Sequence, residues 1–99
     1  MEQTELIAQL DALTDAIEHA AAMADWMEAA RLATAREPLV ASLSADQPPA
    51  GIAAIRRMQA SNERIFADAQ RAQRELADEY QAAMSRVQAA GQYQNIASR

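Results

Sequence analysis

Leu6, Leu10, Leu13, Ile17, Ala20, Ala24 and Met27 recur at alternating steps of four and three. That is the stripe of a helix packed on a partner helix through a coiled-coil-like seam. From Trp26 a second stripe through Ala29, Ala33, Val40 and Leu43 follows a partly rotated face, and Pro38 interrupts it. A proline deep in a helix removes one hydrogen bond and clashes one turn back. The pattern therefore predicts a first helix over about residues 3–43 with a kink or break near 35–38. Ser44 to Gly51 combines cap-forming side chains, the proline pair Pro48-Pro49 and a glycine, which predicts a turn over 44–51. Proline is tolerated in a first helical turn, so the next helix can begin at or just after Pro49.

From Ile52 to Ala90 there is no glycine or proline, and Ile55, Met58, Ile65, Ala69, Ala72, Leu76, Tyr80, Ala83 and Val87 mark one broad face. A helix over about 52–90 follows, on the order of 60 Å long at 1.5 Å per residue. Arg64 and Asp68, Arg71 and Glu75, and Arg74 and Asp78 sit four apart on its outer face, spacing that solubilises more than it stabilises. Gly91 reads as a stop signal, leaving a tail over 91–99 whose apolar members are Tyr93 and Ile96. The expected fold is all-α: one domain over 1–99, a long antiparallel helical hairpin with a kinked first helix. A chain of 99 residues buries a thin core, and a hairpin cannot hide both stripes. Homodimerisation into a helical bundle is thus expected.

Composition sharpens this picture. About a quarter of the residues are alanine, against two glycines and three prolines, and helix propensity is high almost throughout. Aromatic residues are few (Trp26, Phe66, Tyr80, Tyr93), so a partner chain is expected to complete the burial. The net charge of -5, with nine arginines and no lysine, disfavours nucleic acid, whose binding rests on phosphate neutralisation. Residues 1–49 carry nine acids against two arginines, and residues 50–99 seven arginines against five acids. Such halves attract when folded together. The longest apolar run, Ala20 to Ala24, is far too short to span a bilayer and no charged-then-apolar leader opens the sequence, which makes a cytoplasmic location the expectation. The absence of cysteine excludes disulfides and thiolate metal sites.

Candidate chemistry is sparse. His19 is the single histidine, and the Glu-x-x-His pattern of di-metal bundles is absent, so a surface histidine is the plain reading. No nucleophile constellation, glycine-rich phosphate loop or zinc spacing occurs, and no pocket is signalled that would tune a carboxylate. The expectation is a protein that is not an enzyme, with no cofactor and no metal. Arg56-Arg57 reads as a solvated basic pair. Met58, Phe66, Tyr80 and Met84 suit either core packing or a groove for an apolar helix.

Several short motifs in order carry a resemblance. Asp25-Trp26, then Leu32, Arg36, Leu39 and Leu43, resemble the tryptophan-to-arginine signature in the first helix of flagellar chaperones of the FliT type. Gln47-Pro48-Pro49-Ala50-Gly51-Ile52 is similar to that family's proline-bearing turn, and Asn62-Glu63-Arg64-Ile65 with Arg74-Glu75-Leu76 to its second long helix. Tyr93 stands like the family's tyrosine near the C-terminus, while Met27 occupies a place where an acidic residue commonly follows the tryptophan. The resemblance implies a cytoplasmic chaperone of flagellar type III export that binds and shields the filament cap protein (FliD-like). Some relatives also touch the flagellar master regulator and the export ATPase complex. It makes Trp26, Arg36 and Leu39 structural anchors. Client binding is expected at Ile65, Phe66, Ala69, Leu76, Tyr80, Val87 and Tyr93, with the tail from Gly91 as a partial cover. A coiled-coil structural or regulatory adaptor with no export role is the alternative, and a helical metalloprotein a third reading that the sequence disfavours.

Overall fold

The computed structural model of the chain describes residues 1–97. Those residues form three α-helices and no strand: α1 (Gln3–Ala22), α2 (Trp26–Ala41) and α3 (Pro49–Ala97). The all-α class and the hairpin packing of antiparallel helices agree with the sequence pattern. Two compact units divide the chain, the first being Met1–Ala69 and the second starting at Gln70.

In the first unit α1 and α2 form a hairpin, with the start of α3 packed against both. Leu6 and Leu10 of α1 join Met58 of α3, flanked by Leu39 and Leu43. Further along, Ile17 and Ala20 meet Ala29, with Leu32, Ala33 and Ile65 packed around them. Contact positions ascend together in α1 and α3 and descend in α2, so α2 runs antiparallel to the other two. The charge bias between the two halves of the sequence takes physical form along the α1–α3 seam. Arg57 lies 3.0 Å from Asp15, 3.2 Å from Glu18 and 3.4 Å from Asp11, and Arg64 lies 3.3 Å from Glu18. Burial opposes the Arg57 charge, but hydrogen bonding to Asp15 and attraction to Asp15, Asp11 and Glu18 outweigh it and hold its pKa above the ordinary value.

The break in the first helical segment lies at Met23–Asp25, not near 35–38. Asp25 N–H donates to Ala20 O at 2.8 Å and Ala24 N–H to Ala21 O at 3.0 Å, the paired bonds of a Schellman cap. Ala24 sits at φ 56°, the left-handed conformation such a cap requires. Asp25 then turns its side chain the other way, and Oδ1 accepts from Glu28 N–H at 3.2 Å to cap α2. Pro38 stands inside α2 without ending it. The carbonyl deprived of its partner belongs to Thr34, which is exposed and can be satisfied by water. The helix ends less than one turn after Pro38.

Between α2 and α3 the chain is held by amide side chains. Gln3 Oε1 accepts from Ser44 N–H at 3.1 Å and from Gln47 Nε2 at 2.9 Å, tying the start of α1 to this connection. α3 begins at Pro49, as a proline at the first helical position favours. It continues through Gly91 to Ala97, so the expected stop at residue 90 and the separate tail are not what the structure places there. Gly91 has no positive φ, and its neighbours Ala89, Ala90, Gln92 and Gln94 are strong helix formers that outweigh one glycine. Ser98 and Arg99, the last residues of the expected tail, lie outside the described residues.

Candidate partner-binding surface

Two arrangements stand out beyond ordinary core packing. The first is a polar node inside the first unit. Arg36 is only 7% exposed. Its Nη1 donates to Thr14 Oγ1 at 3.1 Å and its Nη2 to Asn62 Oδ1 at 2.6 Å, so one side chain ties α2 to both α1 and α3. Thr14, 1% exposed, donates its own hydroxyl hydrogen to Leu10 O at 2.8 Å, which leaves its lone pairs for Arg36. Burial pushes the Arg36 pKa below its ordinary value, yet a guanidinium keeps its proton in proteins. No carboxylate lies within ion-pair distance of it among the described residues.

The second arrangement is a stripe on α3. At about 100° per residue, Met58, Ile65 and Ala69 fall on one face of the helix in the first unit, and Ala72, Leu76, Tyr80, Ala83 and Val87 on one face in the second. In the first unit this face is core: Met58 is buried, and Ile65 is half-buried against Ile17, Ala20 and Ala29. In the second unit, Leu76 is 67% exposed, and Tyr80, Met84 and Val87 are exposed too. Ala72 and Ala83 are the half-buried residues there.

The residues expected at the site are therefore not one set. Ile65 belongs to the core, Ala69 is half-buried, and Phe66 is exposed beside the core face of the first unit. Leu76, Tyr80 and Val87 are exposed on one face of the second unit. Tyr93 and Ile96 are exposed on α3 itself, roughly 100° and 160° around the helix from Leu76. Being helical and off the stripe, they do not fold over it as a cover. Among the anchors, Leu39 packs on Leu6, Leu10 and Met58, and Arg36 holds the node. Trp26 is half-buried at the first turn of α2, less enclosed than a core tryptophan. Sequence reasoning missed Thr14 as a partner of Arg36. The available signal was a hydroxyl residue set between Leu10, Leu13 and Ile17 on the apolar side of α1.

No group of three or more His, Cys, Asp or Glu is arranged to hold a metal among the described residues. None of the described helices is long and apolar enough to cross a membrane. The family model of the flagellar protein FliT matches residues 4–95. Neither the curated proteins nor the solved structures give a match. With the match running from the second residue of α1 almost to the end of α3, the chain belongs to the FliT family of flagellar proteins.

Proposed function

We propose that this protein is a cytoplasmic export chaperone that binds the flagellar filament cap protein (FliD-like) and shields a helical segment of it before secretion. The observation that carries the reading is the exposed stripe Leu76, Tyr80 and Val87 of the second unit, with half-buried Ala83 set between Tyr80 and Val87. Its steps of four, three and four match the anchors of a helix-in-groove contact, and from Leu76 to Val87 it runs about 16 Å. Bare apolar stripes of this kind mark protein-binding surfaces. Without client the stripe pairs with a second copy, which gives the homodimer. Contacts with a master regulator and with the export ATPase complex belong to the same reading.

Calorimetry with the purified cap protein tests it. Replacing both Leu76 and Val87 with alanine removes exposed side chains, so the helical signal stays as in wild type. Affinity falls at least tenfold, about 1.4 kcal/mol. Unchanged affinity in a folded double variant removes the face from the site. Sedimentation across micromolar concentrations tests the homodimer, and a strict monomer throughout overturns it.

A further inference from the structure

A cleft opens between α2 and α3 in the first unit, lined by Ala33, Arg36, Glu37, Val40, Met58 and Asn62. It lies wholly within Met1–Ala69 and is independent of the exposed stripe after Gln70. Arg36 forms part of its wall, and a buried guanidinium without an anion is an unusual thing to find there. Taking an ion out of water is costly, and neutral acceptors recover only part of that cost. Arg36 has five N–H donors. Its two bonds engage the hydroxyl of Thr14 and the amide oxygen of Asn62, both uncharged.

The flanking residues narrow the kind of ligand. Ala33 lies one turn before Arg36 and Val40 one turn after it on α2, and Met58 adds an apolar side chain from α3. The cleft thus pairs a cation with apolar surface on both sides along the helix direction. Its complement is an anion with an apolar side chain one turn to either side of it. Glu37 is the like charge at this cleft, and it is exposed, where water and salt screen it. A planar guanidinium fork matches a carboxylate and binds it more strongly than it binds a neutral acceptor. We propose that this cleft receives the glutamate or aspartate side chain of a partner helix that carries apolar residues one turn to either side, with Arg36 as the counter-ion.

The probes are two fluorescein-labelled helical peptides of about five turns, identical except for a central Glu or Gln, with leucines one turn before and after. Fluorescence anisotropy with the full chain is expected to show the Glu peptide binding about tenfold tighter than the Gln peptide. Arg36→Met erases the difference. Should that variant fail to fold, Val40→Glu carries the test, since position 40 is exposed and places a carboxylate four residues from Arg36 within the same cleft. An internal carboxylate there satisfies the cation, so Val40→Glu also erases the preference while keeping the helical signal. Equal affinity for the two peptides, binding of neither, or a Glu preference that survives in Val40→Glu overturns the proposal.

Discussion

Ala24 sits in the left-handed region at φ 56° while serving as the terminal residue of a Schellman cap. For an L-residue that conformation costs about 1–2 kcal/mol, whereas glycine adopts it freely. Ala24→Gly removes the strain and touches no packing, because the side chain is an exposed methyl. Against the gain stands the greater freedom of glycine in the unfolded chain, about 0.4–1 kcal/mol. The net is a stabilisation of about 0.5–1 kcal/mol. In a domain of this size that raises the melting temperature by roughly 2–8 °C. Far-UV circular dichroism during thermal and urea unfolding reads it directly. Ala8→Gly supplies the control, the same chemical change at an exposed position inside α1, and lowers stability by about 1 kcal/mol. The reasoning is refuted if Ala24→Gly melts at or below the wild-type temperature, because the cap would then not be straining Ala24.

Trp26→Ala costs about 1–2 kcal/mol in urea unfolding, less than the 3–5 kcal/mol or so of a fully enclosed aromatic, since Trp26 is half-buried; a loss above that range would place it in the core. Arg57→Ala, which frees Asp11 and Asp15 and leaves Glu18 with Arg64 alone, lowers stability by at most about 1 kcal/mol at low salt. The difference from wild type shrinks in concentrated NaCl, and an effect indifferent to salt would contradict the electrostatic account. The hydrogen bond from Arg31 holds Glu28 below its ordinary value of 4.5, its attraction adding to this and slight burial opposing it. A depressed folded-state pKa means stability that is complete above the unfolded-state value and lost as pH falls through the folded-state one. Glu28→Gln therefore flattens part of the acid-side decline in the urea midpoint below about pH 5, and a superimposable profile would exclude this pair from it.

Residues that announce themselves chemically were legible in the sequence. Pro48-Pro49 and Gly51 marked the α2–α3 connection, and the three-four spacing of Leu6, Leu10 and Ile17 marked the buried side of α1. The α1–α2 break was hidden because Ala24, a good helix former, occupies a position that glycine usually fills. Its signal lay in Asp25, a capping residue read only as part of Asp25-Trp26. Pro38 misled in the opposite direction, because the carbonyl it orphans belongs to exposed Thr34 and costs little so close to the end of α2. Thr14 and Ser61 are buried yet polar, and hydrophobic periodicity passes over them. Spacing along α3 places Leu76, Tyr80, Ala83 and Val87 on one face of the helix but does not contain which of them is covered.

Asp25 closes α1 with its backbone N–H and opens α2 with its carboxylate, leaving no spare residue between the two caps. Adding a single residue between Met23 and Trp26 would shift one cap out of reach of the other, so this joint has a fixed length. The link from Ser42 to Pro48 is different, held mostly by the side chains of Gln3, Ser44 and Gln47, with exposed Ala45 and Asp46 in its middle. An epitope tag, a protease site or new chain ends can enter at Ala45–Asp46 with α1 and α2 still joined as a hairpin. The same change at Met23–Asp25 would separate them.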